Sequence, residues 1–211
     1  MVYQFWLIAA LLSFAIIFLD KKYCMLRDIS KAATHQPYSW ARVQMAWWTI
    51  IVLSSFIAIF WSKHAAPSLN TSTLILLSIS AATTATARVI DLSDQETYNL
   101  IRHQDSFGKN FFLDILSDQT GVSVHRFQTV VFNAVFGIYF INDVLSKLQS
   151  CNDAGCINTI IPFIENNSLI LLGISSATYA AMKTTENKSA TLAAGNRTIN
   201  TTGPEPDGSV G

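Results

Sequence analysis

The stretch TSTLILLSISAATTATA at residues 71–87 returns later in the chain as NSLILLGISSATYAA at residues 167–181. Both copies join an LILL run to a stripe of small residues, a composition suited to a helix packed closely on its neighbours in lipid. At an offset of 95, Ser78, Ser80, Ala82 and Thr83 meet Gly173, Ser175, Ala177 and Thr178. Arg88 then meets Lys183, and Asp91 meets Glu186, so the charges correspond as well as the apolar core. A second correspondence, at an offset of 84, sets SWARVQ (39–44) on SVHRFQ (123–128), pairing Arg42 with Arg126 and Gln44 with Gln128. The offsets differ by eleven residues, which lengthens the connection inside the second copy, where Cys151 and Cys156 sit. The expected architecture is an all-α polytopic transmembrane helical bundle of five spans: a lead helix followed by two copies of one helical hairpin. Both copies run the same way, so they are parallel repeats about an axis along the membrane normal.

Composition asks for a solvent other than water. Of 211 residues, 50% are hydrophobic and only 13% charged, about half the usual charged share of soluble domains. The apolar residues fall in five blocks: 2–19, 43–61, 73–87 with an extension to 90, 127–141 with an extension to 145, and 160–182. Each approaches the length that crosses a bilayer core. Buried helices of a soluble protein are the competing reading, but five such blocks would leave too little polar surface to coat a globule. The first block has no basic n-region and no small-x-small cleavage site, so it reads as an anchor. The chain divides into a first span (1–20), an inner loop (21–41), a first hairpin (42–90), an inner segment (91–125) and a second hairpin (126–183). A tail rich in Thr, Asn, Gly and Pro (184–211) is expected to be disordered.

Twelve of the fourteen basic residues fall on one side of this scheme. They are Lys21, Lys22, Arg27, Lys31 and Arg42, then Arg88, Arg102, Lys109 and Arg126, then Lys183, Lys188 and Arg197. Lys63 and Lys147 fall on the other side. The positive-inside rule places the larger set in the cytoplasm, with the amino terminus outside and the carboxyl terminus inside. The outer loop SKLQSCNDAGCINTI then lies where a disulfide between Cys151 and Cys156 can persist. Free thiols are the alternative, and zinc is poorly served because no further Cys or His stands nearby.

Ser39 and Ser123 are expected helix N-caps. Arg42 and Arg126 are expected at headgroup depth, reaching lipid phosphate or binding Asp91 and Glu186 on the partner helix. Gln44 and Gln128, one turn deeper, are expected to bond across the repeat axis. The stripes Ser78, Ala82, Thr86 and Gly173, Ala177, Ala181 are the expected packing faces. A polar pathway lined by Ser80, Thr83, Thr84, Ser175, Ser176 and Thr178 is the alternative. KNFFLDILSD predicts a short amphipathic helix on the inner surface, with Phe111, Phe112, Ile115 and Leu116 on one face.

Formal net charge is zero, so no basic field points to nucleic acid. Ionisable groups are nearly missing inside the apolar blocks, where Asn133 is among the deepest polar residues, and this disfavours an ion-coupled transporter. No catalytic triad, phosphate loop or metal motif occurs, so no enzyme, cofactor or metal is expected.

Across PYSWARVQMAWW, DILSDQTGVSVHRFQ and LLGISSATYAAMK the chain resembles a family of uncharacterised bacterial integral membrane proteins. Members carry an Arg-x-Gln helix start followed by a GIS-small-x-Thr helix. The resemblance covers residues 37–186 and implies a bacterial inner membrane, but no activity. The leading expectation is a non-enzymatic scaffold or sensor subunit in the lipid bilayer, homo-oligomeric, meeting a cytoplasmic protein partner through its inner loops. A channel or membrane-perturbing effector, for example in phage defence, is the alternative, with a small-solute transporter behind it.

Overall fold

A computed structural model describes residues 2–28, 36–96, 108, 110–118, 121–151 and 154–199, with side chains at all of these except 95, 96, 154 and 186–199. Lys31, Arg102 and Lys109 lie outside the described residues, as do tail residues 200–211 and the side chains of Glu186, Lys188 and Arg197.

Of the described residues, 82% are α-helical. The helices are α1 (Val2–Tyr23), α2 (Trp40–Lys63), α3 (Thr71–Glu96), α4 (Phe111–Leu116), α5 (Val124–Ser150), α6 (Ile157–Ile160) and α7 (Asn166–Ile199). Four are long and apolar enough to cross a membrane: α1, α2, α3 over Thr71–Asp94, and α5. The apolar part of α7, residues 169–182, is shorter and is interrupted by Gly173, Ser175, Ser176 and Thr178. α2 is the most enclosed of the four and α1 the least.

Local chemistry sets the helix limits. Ser39 and Ser123 do occupy the N-cap positions of α2 and α5, both with extended backbone (φ −93° and −103°), yet neither side chain makes the capping hydrogen bond. α2 ends where His64 turns left-handed at φ 54° and donates its N–H to the Phe60 carbonyl. At the start of α3, Asn70 Oδ1 accepts from the Thr73 N–H at 2.9 Å and the Thr73 hydroxyl at 2.9 Å.

α2 and α5 run parallel through the middle of the bundle, and α3 and α7 run parallel beside them. The core packs Trp48, Ile51 and Ile59 of α2 against Leu76, Phe140, Val144, Leu148 and Leu172, with Phe5 and Ile8 of α1 joining from outside. Gly137 marks a close crossing of α5 and α2. A Cβ there would lie 2.5 Å from Trp47 Nε1, so only glycine lets α5 approach the indole. That indole donates to the Asn133 carbonyl at 3.1 Å.

Three details go beyond the expectations. α7 continues past residue 184, the expected start of the tail, to Ile199. An antiparallel ribbon pairs β1 (Ser117–Asp118) with β2 (Gly121–Val122) between α4 and α5, so the fold is not purely helical. α4 itself forms where expected, capped by Asn110 Oδ1 on the Leu113 N–H at 2.9 Å. On its apolar face Ile115 is buried at 2% exposure while Phe112 stands out at 70%.

Candidate functional site

One end of the bundle gathers the C-terminal end of α1, the starts of α2 and α5, the end of α3 and the middle of α7. Lys183 of α7 is enclosed there at 1% exposure, with its Nζ 2.9 Å from Asp91 Oδ1 on α3 and 3.4 Å from Asp28 Oδ2. Three segments are thus tied by one ammonium.

The position of Asp28 follows from the connector between α1 and α2. Its two strands of chain clasp each other: Asp28 N–H donates to the Pro37 carbonyl at 2.9 Å and Ser39 N–H to the Leu26 carbonyl at 2.8 Å. Asp20, buried at the end of α1, accepts from the Leu26 N–H at 2.8 Å and lies 3.6 Å from Arg27 Nε. The Arg27 guanidinium rests over the Tyr38 ring at 4.8 Å, and the Tyr38 N–H donates to Asp114 of α4 at 3.3 Å. Burial pushes the Asp28 carboxyl up, but the Lys183 ammonium, the Ser39 hydroxyl and the Arg42 guanidinium outweigh it. The balance lies below the ordinary value of 3.8.

Below this knot a polar seam runs along the helix interfaces. Gln44 Nε2 donates to Ser176 Oγ at 3.1 Å, and Ser175 Oγ donates to Thr129 Oγ1 at 2.8 Å. Deeper still, Trp48 Nε1 donates to Asn133 Oδ1 at 2.8 Å, and Asn133 Nδ2 donates to the Thr129 carbonyl at 2.8 Å. Thr84 Oγ1 reaches the carbonyls of Ala41 and Ser80, both at 3.0 Å. Ser80 and Thr83 bond back to their own helix, at Leu76 and Ile79.

The sequence-derived site residues divide between the inside and the outside. Ser80, Thr83, Ser175, Ser176, Gln44, Asp91, Arg126 and Lys183 are buried. Ser78, Ala82, Ala177, Thr178, Arg88 and Gln128 are exposed, and so are Thr86 and Ala181 of the two small-residue stripes. Within one chain those stripes therefore face outward. The contact surface lies part of a turn away, on Leu76, Ser80, Thr83 and Ala87 of α3 and Leu172, Ser175, Ser176 and Tyr179 of α7. Gly173 has room as well, since a Cβ there would meet only Ile79 Cδ1 at 3.8 Å.

The ionic partners also differ from expectation. Lys183, not Arg42, holds Asp91, while Arg42 Nη1 donates to the Met25 carbonyl at 3.3 Å. The Arg126 guanidinium lies over the Tyr179 ring at 5.4 Å. Gln128 faces outward, and Thr129 takes its place inside the seam. The Glu186 side chain lies outside the described residues.

At the opposite end Cys151 and Cys156 form a disulfide, with Cα atoms 5.7 Å apart. Lys63 Nζ donates to the Cys151 carbonyl. Asn70 Nδ2 donates to the carbonyls of Ile161 and Pro162 at 3.2 and 2.9 Å, and Ser72 Oγ accepts from the Ile164 N–H at 2.9 Å. Asp28, Asn70, Thr129 and Gly137 escape the sequence reading. Two sit in connectors without periodicity, and the other two look like ordinary members of an apolar run.

Among the described residues no group of three or more His, Cys, Asp or Glu is placed to hold a metal ion. Compared with known proteins, the chain matches no family model, no curated protein and no solved structure.

Proposed function

We propose that the chain is a non-enzymatic, multi-pass protein of a bacterial inner membrane, a scaffold or sensor subunit whose charged end faces the cytoplasm and meets a soluble partner. The observation that carries this reading is the closed polar seam. Gln44, Trp48, Thr84 and Ser175 bond helix to helix there, which suits a rigid interior more than a lined path for solute. The outer surface agrees, since Leu11, Phe14 and Phe18 of α1 are 61, 69 and 55% exposed and would meet hydrocarbon.

On this reading α7 is a fifth span, and α2–α3 and α5–α7 are duplicated hairpins. The parallel run of α2 with α5 and of α3 with α7, together with the matching extended N-caps at Ser39 and Ser123, supports the duplication. Lys21, Lys22, Arg27, Arg42, Arg88, Arg126 and Lys183 share one end, which supports an amino terminus outside and a carboxyl terminus inside. The exposed stripes of α3 and α7 offer close backbone approach to a second copy and so support a homo-oligomer.

The test is capture from cross-linked host membranes, using the full chain and a variant whose residues 97–107 are replaced by a Gly/Ser linker. A soluble protein recovered with the first and lost with the second is the expected outcome. Recovery of the same proteins with both would refute the docking role. A second reading, a pore between copies, draws on the exposure of Ser78 and Thr178. Ion flux through liposomes carrying the purified chain, abolished by Thr178→Val, would favour it over the scaffold.

A further inference from the structure

Between α1, α2 and α3 a groove of about 650 Å³ opens on the outside of the bundle. Small side chains cut its floor, Ala46 on α2 and Ala81 and Ala85 on α3, and Arg42 and Arg88 stand among its lining. None of the lining residues is a carboxylate. The two threonines of the wall are already satisfied: Thr49 bonds the Met45 carbonyl at 2.8 Å, and Thr84 bonds those of Ala41 and Ser80 at 3.0 Å. Beyond the arginines the groove therefore offers hydrocarbon contact.

The helices set the depth of the arginines. Arg42 stands one residue before the apolar run of α2, and Arg88 closes the small-residue run of α3. Both fall where hydrocarbon gives way to headgroups. From Arg42 the groove reaches Thr49, seven residues on, roughly 10 Å along a helix. Arg88 is exposed and Arg42 half-buried. Part of the Arg42 field is spent on Asp28. The neighbouring groove, about 410 Å³ between α1, α2 and α4, is lined by both Asp20 and Lys21 and has no such single sign.

We propose that the α1–α2–α3 groove binds one anionic phospholipid, with its phosphate at Arg42 and Arg88 and an acyl chain along Ala46, Ala81 and Ala85. The site rests on the membrane reading above and adds a preferred lipid to it. Fractionation of host cells comes first. Recovery of the chain in the soluble fraction without detergent would overturn the membrane reading itself.

With the chain in membranes, the detergent-purified full chain is titrated with phosphatidylglycerol and phosphatidylcholine of matched acyl chains and followed by native mass spectrometry. Preferred binding of phosphatidylglycerol is expected, weakened roughly thirty-fold in R42Q/R88Q and about five-fold in R88Q. K21Q/K22Q, at lysines outside this groove, should bind as wild type, and R42K/R88K should retain most of the preference. Equal binding of the two lipids would overturn the site, and so would displacement by excess glycerol phosphate, which has the anion but no chain. Arg42 also steadies the Asp28 connector, so R88Q keeps the experiment readable if R42Q folds poorly. Unchanged binding in a folded R88Q would overturn the proposal.

Discussion

The two ends of the bundle are closed by different physics. At the charged end a single buried ammonium, Lys183, joins α7, α3 and the α1–α2 connector through two carboxylates. At the opposite end a disulfide closes the α5–α7 connection on itself, and the amide of Asn70 ties that connection to the start of α3. A buried ion pair gains little over an apolar contact while intact, yet removing one partner leaves a charge stranded in a low dielectric. The charged end is therefore the one that a change of ionisation or the approach of a charged partner can open, and the disulfide end is the one that stays shut.

Removing the ammonium should break this asymmetry most. Lys183→Met is expected to cost about 3–5 kcal/mol, measured as a shift of reversible unfolding in detergent. The triple variant Lys183→Met, Asp28→Asn, Asp91→Asn should recover most of that loss, because no charge is then left stranded. Wild-type unfolding of the single variant would mean that the knot holds nothing.

Cys151→Ser with Cys156→Ser is expected to cost roughly 2 kcal/mol for so short a loop. Hydrogen exchange should rise at residues 157–165 and 70–73 and stay unchanged at 24–28. If both ends loosened together, the bundle would be one cooperative unit and the contrast would fail.

Acid is expected to loosen the charged end first. The Asp28 pKa is lowered in the folded state, so its stabilisation is complete above the ordinary value of 3.8 and is lost as the pH falls through the lower folded value. Exchange at residues 24–28 should therefore rise on acidification below about pH 4, ahead of exchange at 70–73. Asn70→Ala, with its cap and two cross-connection bonds gone, should cost about 1 kcal/mol and leave the acid response intact.

The smallest effect separates burial from mere position at the charged end. Gln128→Leu, at an exposed site, should stay within about 0.5 kcal/mol of wild type. Gln44→Leu, its counterpart in the repeat, should cost about 1 kcal/mol through the lost bond to Ser176. Equal costs would restore the symmetry that the seam denies.

Block length and apolar content were enough to find α1, α2, α3 and α5, although α3 runs to Glu96, beyond the expected limit at 90. The spacing of Cys151 and Cys156 was legible because a disulfide needs little beyond proximity in the chain. Asp91 and Lys183 were also picked out as interface residues, though not as partners of each other. The residue that completes their cluster, Asp28, lies in a connector whose path depends on a clasp with Pro37 and Ser39. The small-residue stripes stay outside the bundle for a related reason. Ala82 and Ala177 fit a helix contact, yet the contact formed on Ser80, Thr83, Ser175 and Ser176, which could bond as well as pack.

Taken alone, the sequence determined that long apolar helices form, roughly where they begin, and which ends collect the basic side chains. Each of these is a sum over a segment's own residues and needs no knowledge of its neighbours. Only the tertiary structure decided which side of each helix turns inward and which charges meet. Hydrocarbon and a packed core are almost equally apolar, so a helix of this composition bears no polar stripe to mark its outer face. Small and hydroxyl side chains are at ease in either setting, and the choice between them falls to the partner helix.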